Sequence, residues 1–363
     1  MKKLAMTVLM FFILVDTFAQ QSTQFDSANW QFLNDNYTVE RYKGKDAIRL
    51  KNNQAIYKAG QIKNGIIEFD VAFPDARAFV GVAFRMKDER NYEEFYLRPH
   101  QSGNPDANQY CPAYNGVTSW QLYTGDGYSA PTSYLFENWI HCKLVLSNQL
   151  MDVYITDMRK PAFTTTLKRP VDKGDIALYA AVGEARFSDF KLTANEPSLS
   201  APVKTIDNVP GVISSWHVSN VFNEAKIDSI MEAGMRPDGL TWQRASADLN
   251  GLVNLATVSN WTRTNNTVLV KLVVYADKPL VKKLTLGFSD RVKLYLNNQI
   301  LFAGQDKFQS RDYRFLGTVG FYDDVYLHLK KGKNELLIAV SEDFGGWGIQ
   351  AKIEDQKGIR IEK

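Results

Sequence analysis

Between Gly65 and Gln101 apolar and polar residues alternate in three successive runs. In the first, Ile67, Phe69, Val71 and Phe73 alternate with Ile66, Glu68, Asp70 and Ala72. In the second, Val80, Val82 and Phe84 alternate with Gly81, Ala83 and Arg85. In the third, Phe95 and Leu97 alternate with Glu94, Tyr96, Arg98 and His100. A period of two is the signature of strands with one buried face. The same pattern predicts strands over Ala55–Ala59, Trp139–Leu146, Leu150–Thr156, Asp175–Val182 and Arg186–Leu192, with turn residues between them. If the three central strands are neighbours, Glu68, Asp70, Arg85, Glu94, Tyr96, Arg98 and His100 share one polar sheet face.

Alternation resumes in the second half at Val268–Val274, Val292–Leu296, Leu327–Leu329 and Leu336–Val340. Asn297-Asn298 reads as a hairpin turn, because Asn tolerates positive φ. Only Asn223–Ala233 has helical spacing, with Ala225, Ile227, Ile230 and Met231 on its apolar side. Pro197, Pro202 and Pro210 mark a patternless stretch between the halves. The pattern predicts an all-β chain: a sandwich over residues 20–195, a linker over 196–211 and a second sandwich over 212–363. Residues 104–133, polar and aromatic, read as a long loop over the first sandwich, a place where binding residues concentrate.

The ends and the charge refine this picture. Lys2 and Lys3 precede the apolar run Leu4–Val15 and the small residue Ala19, which reads as a signal peptide over residues 1–19 and an exported, periplasmic or extracellular protein. The run is too short to favour a membrane span. The formal net charge of +3 over 363 residues, without a basic cluster, gives no footprint for nucleic acid. The two cysteines, Cys111 and Cys142, leave a disulfide open. No nucleophile elbow, zinc-type cluster or phosphate loop is present.

The candidate chemistry sits on the polar strand face. Glu68 and Asp70, at i and i+2, lie roughly 6–7 Å apart on one side of a strand, and paired carboxylates are the equipment of glycosidic-bond cleavage. His100 follows the third strand and titrates near neutrality. Arg85, Glu94, Tyr96, Arg98 and Gln101 are candidate ligand contacts, with Trp120, Gln121 and Tyr123 of the insertion above them. Aromatic faces stack on sugar rings, while Gln and Arg reach hydroxyls. Asp106 and Asp126 are candidate oxygens for a structural calcium, although no calcium-loop spacing is present; no other cofactor is expected.

Residues 24–193 resemble a concanavalin A-like, laminin-G-like jelly roll. Asn64–Val71 and Phe84-Arg85 resemble the corresponding strands of glycoside hydrolase family 16 and of the 3-keto-disaccharide hydrolase domain. Family 16 enzymes carry nucleophile, helper and acid/base on one strand as Glu-x-Asp-x-Glu or Glu-x-Asp-x-x-Glu. Here Glu68 and Asp70 match the first two positions, and the third falls on Ala72 or Phe73. Gly287–Asn298, with Leu336–Val340 and Phe344–Trp347, resembles a galactose-binding-like sandwich, and Trp216, Trp242, Trp261 and Trp347 are candidate platforms there. The resemblance implies recognition of a poly- or oligosaccharide on the polar face of the first sandwich. The alternative is a glycoside-active hydrolase or lyase using Glu68, Asp70 and His100. A third reading is a structural or adhesive surface protein.

Overall fold

The computed structural model describes residues 23–199, 209–232 and 240–362. The signal-peptide reading, most of the linker and Ala233 lie outside the described residues. The chain is all-β. Its first half forms β1 (Trp30–Phe32), β2 (Tyr37–Tyr42), β3 (Lys45–Tyr57), β4 (Gly65–Ala72), β5 (Phe79–Asp88), β6 (Asn91–Leu97), β7 (Asn108–Tyr114), β8 (Val117–Thr118), β9 (Ile140–Ser147), β10 (Leu150–Ile155), β11 (Phe163–Thr166) and β12 (Asp175–Thr193).

Two long strands, β3 and β12, pass from one layer of this sandwich to the other. The first part of β12, Asp175–Ala181, pairs with β5, and the last part, Arg186–Thr193, pairs with β4. Between them the pairing with β3 breaks from Ala180 to Glu184. Val182 has φ 55° there, a conformation rare for a β-branched residue, and a bulge of this kind bends a strand. The bend also switches parity: Leu178 and Ala180 face the core before it, Ala185 and Phe187 after it. One layer therefore runs β12-β5-β6-β7-β8, and the other β12-β4-β9-β10-β11. Both inner faces feed a single core, with Val82, Phe84 and Phe95 from one and Ile67, Phe69 and Leu144 from the other. The two outer faces consequently point away from each other.

The second half forms β13 (Ser215–Ser219), α1 (Ile227–Glu232), β14 (Trp242–Ser246), β15 (Leu252–Asn254), β16 (Thr267–Ala276), β17 (Leu280–Ser289), β18 (Arg291–Leu296), β19 (Gln299–Gln305), β20 (Asp323–Leu329), β21 (Gly332–Ser341), β22 (Gly348–Lys352) and β23 (Ile359–Ile361). A seven-stranded sheet, β14-β13-β16-β21-β18-β19 with β23 on β16, packs on the four-stranded sheet β15-β22-β17-β20. The hairpin expected at Asn297-Asn298 forms, with φ of 49° and 72°. The helix is shorter than its pattern: Glu224–Lys226 is a 3-10 turn capped by the Asn223 side chain, and α1 follows. Trp216 and Trp347 are fully buried in the core of this sandwich, so they are packing residues and not platforms.

The expected loop over 104–133 is only partly a loop. Asn108–Tyr114 joins the sheet as β7, with Glu94 opposite Cys111 and Tyr96 opposite Gln109. Cys111 is buried outside β6, and Cys142 lies in the core, so neither cysteine is in a disulfide.

Candidate functional site

The outer face of the β12-β5-β6 layer is the floor of a groove of about 710 Å³. Register sets its composition. One cross-strand row reads Gln54, Tyr179, Gly81, Tyr96, Gln109, and the next reads Ile56, Ala177, Ala83, Glu94, Cys111. Gly81 has a packing reason, since a Cβ there would lie 2.0 Å from the Phe95 carbonyl oxygen. The bare Gly81 and the small Ala83 and Ala177 leave a depression between Tyr179, Tyr96 and Glu94.

Glu94 is 7% exposed and lines the groove. Burial pushes its carboxyl up to about 7, against the opposing hydrogen bond that Tyr179 Oη donates to Glu94 Oε2 at 2.7 Å. Arg98, also buried, is held in place on all sides. Its Nη1 donates to the Asp106 carbonyl at 2.8 Å, and its Nη2 donates to Tyr96 Oη at 2.8 Å and to Gln109 Oε1. Gln109 in turn donates to the carbonyls of Trp120 and Tyr123. His100 packs edge-on against Phe79 at 5.3 Å, and burial, with Arg77 and Arg98, holds its imidazole below the usual pKa.

One wall belongs to the second sandwich. Trp120 meets Phe344 at 5.8 Å and Phe308 at 6.3 Å, centroid to centroid, and Phe308 meets Phe344 at 6.4 Å. Both phenylalanines, with Leu316, line the groove. Exposed rings at the mouth of a concave site are the usual means of gripping an apolar ligand face.

Of the residues singled out in the sequence, Glu94, Tyr96, Arg98, His100, Gln101 and Trp120 line this groove. The others do not. Arg85 breaks the alternation: it has φ 47° at a register shift between β5 and β6, which turns it away from the groove. Its guanidinium instead donates to the carbonyls of Lys63 and Asn148. Tyr123 is buried beneath the groove against Tyr128, and Gln121 is fully buried between the sandwiches. Sequence reasoning missed Tyr179, Phe79, Phe308 and Phe344. Tyr179 and Phe79 sit at outward positions of predicted strands, so alternation was a usable signal for both; Phe308 and Phe344 have none.

Glu68 and Asp70 lie on the opposite outer face, which corrects the expectation of one shared surface. There His141 Nδ1 is 2.6 Å from Asp70 Oδ1, and its Nε2 is 3.5 Å from Glu68 Oε1. Lys45 bonds Asp70 and reaches Asp189 at 2.6 Å. The bonds to Asp70 and then Glu68 raise the His141 pKa to about 9. His141 holds the Glu68 carboxyl below its usual range. Burial alone would raise Asp70, but its bonds to His141 and Lys45 bring it down. Among the described residues, no group of three or more His, Cys, Asp or Glu is arranged to hold a metal, and Asp106 pairs with Arg98 at 3.8 Å. No described helix is long and apolar enough to cross a membrane.

These features define an all-β protein of sandwich architecture with a groove on one outer sheet face. No family model matches the chain, and no curated protein matches it. Among solved structures it is similar to a carbohydrate-binding module from Bacillus subtilis (15% identity, 46% of this chain and 96% of that chain, TM-score 0.36). It is also similar to a β-glucanase from Bacillus licheniformis (9% identity, 48% and 96%, TM-score 0.37).

Proposed function

We propose that this is an exported protein of two sandwich domains that recognises a poly- or oligosaccharide in the groove of the first. The observation that carries the reading is the groove's make-up: an aromatic wall of Trp120, Phe308 and Phe344 over a floor of Glu94, Tyr96 and Tyr179. Sugar rings present an apolar face and a hydroxyl edge, and the groove offers a partner for each. The Arg98 donors are already engaged by Tyr96, Gln109 and Asp106, whereas the exposed Arg77, 5.6 Å from the Phe79 ring, also lines the groove and is the cation that could meet an anionic substituent. Calorimetry or a glycan array with the wild type and Trp120→Ala tests the reading. Binding by the wild type, weakened about 10-fold in the variant, supports it; silence across plant and host glycans overturns it.

The second reading is an enzyme acting on glycosidic bonds, and one observation favours it. Glu94 is a groove carboxyl pushed up to about 7, the property of a general acid at neutral pH. In this reading Glu94 replaces Glu68 and Asp70 as the acid, because those two face away from the groove. Release of reducing sugar from an oligosaccharide, lost in Glu94→Gln with folding intact, would select the enzyme over the binding protein.

A further inference from the structure

The groove has one wall from each sandwich, so something must hold the two in register at that point. Trp120 is followed by Gln121, which is fully buried. Every polar group of Gln121 bonds to the second sandwich. Its backbone N–H donates to the Gly345 carbonyl at 2.9 Å, and its carbonyl accepts from the Val319 N–H at 3.1 Å. Its side-chain Nε2 donates to the Leu316 carbonyl at 2.8 Å, and its Oε1 accepts from Ser289 Oγ at 3.1 Å. The fit is close on two sides. A Cβ on Gly345 would lie 2.4 Å from Gln121 Cδ, and one on Gly317 would lie 2.2 Å from Gln121 Nε2. Both glycines have positive φ, 102° and 76°, so each loop is shaped around the amide.

The two loops that close on Gln121 are those that supply the wall. Phe344 precedes Gly345, and a Cβ on Gly317 would also approach the Phe308 backbone N at 2.9 Å. We propose that Gln121 is the positioning residue of the groove, a pin from the first sandwich that fixes the Phe308 and Phe344 loops of the second beside Trp120. This role rests on the groove being the binding site. It differs from general support of the interface, which is anchored elsewhere: Lys168 to Asp248 at 2.8 Å, Asn254 Nδ2 to Ser119 Oγ at 2.9 Å, and Asn115 Nδ2 to the Ala256 carbonyl at 2.8 Å. Gln121 does not line the groove, so its effect on a ligand passes through the wall.

Gln121→Glu keeps the shape of the side chain but sets an oxygen against the Leu316 carbonyl. Ser289→Ala removes the hydroxyl shared between Gln121 Oε1 and Asp290 Oδ1, puts no new charge against the second sandwich, and is the milder variant. Amide hydrogen exchange on the full chain should speed up at least 10-fold at Val319 and across 343–348 in Gln121→Glu, and less in Ser289→Ala, while β4 and β9 keep their protection. Unchanged exchange in those segments in both variants overturns the pin, whatever the protein binds. Calorimetry with gluco-, xylo-, manno- and galacto-oligosaccharides then reads the consequence. Gln121→Glu and Phe344→Ala should each weaken the sugar that binds, and the double variant should bind no worse than the weaker single variant. Additive losses overturn the positioning role. If the wild type binds none of these sugars, the saccharide reading fails, while the exchange result still decides whether Gln121 pins the loops.

Discussion

The two outer faces of the first sandwich carry similar side chains and do opposite things with them. On one, Glu68 and Asp70 are held below the usual carboxylate range, the first chiefly by His141 and the second by His141 and Lys45 against the effect of burial. On the other, Glu94 is pushed up to about 7 by burial. The first face pairs its charges within the sheet, with Asp70 buried and Glu68, His141 and Lys45 partly exposed around it. The second faces a groove that Phe308, Leu316 and Phe344 of the other sandwich also line. A strand bearing a buried acid thus yields a paired polar surface or a chemically poised floor according to whether cations bond that acid.

This contrast can be broken at its strongest point first. The Glu94 carboxyl titrates near 7 in the folded chain against 4.5 as its ordinary value. The sign follows from which state binds the proton: the contribution is fully present below about 4.5 and is lost as pH rises through about 7. Between pH 4 and pH 8 the wild type should lose roughly 3 kcal/mol at this site. Urea unfolding of Glu94→Gln at both pH values should show that loss removed; an unchanged pH dependence would mean that Glu94 is not a buried acid. Next in size, Phe344→Ala should weaken saccharide binding about 10-fold by calorimetry, whereas Glu68→Gln should leave it within a factor of about two if only the groove face binds. Equal losses in both variants would erase the distinction between the faces.

Smaller effects sharpen the paired face. His141 is raised to about 9 from an ordinary 6.5, so its pairing stabilises the fold fully below 6.5 and fades as pH rises through 9. In Asp70→Asn its midpoint, followed by NMR of the imidazole protons, should move down toward 6.5. Solvent screening keeps the stability change modest, because the His141 side chain is 36% exposed. Glu68→Gln should move the same midpoint less, since its contact is 3.5 Å against 2.6 Å for Asp70.

Much of the fold was legible because strand alternation is a local property. β4, β5, β6, β9 and β10 fall where the pattern sets them, and the outward sides of β5 and β6 hold Glu94, Tyr96 and Gly81 as expected. Arg85 was misplaced because a single residue with positive φ shifts the parity of everything after it, and side-chain pattern alone does not announce such a residue. Glu68 was placed beside Glu94 because β4 and β5 are consecutive in sequence; in the structure β12 lies between them. The insertion was read as a loop because Pro112 and its polar neighbours weaken a strand pattern that β6 nevertheless completes.

The sequence by itself determined that this chain is all-β, which side of each regular strand is apolar, and that acids, arginines and rings stand on the polar sides, because these follow from a two-residue period. The tertiary structure decided which polar side faces the groove, that Trp120 meets Phe308 and Phe344, and that Gln121 is a buried pin rather than a surface contact. Those outcomes depend on contacts between residues some two hundred positions apart, as in the bond from Gln121 to the Leu316 carbonyl, 195 residues away. Local alternation carries no information at that range, and the environment that sets a pKa or exposes a ring is built there.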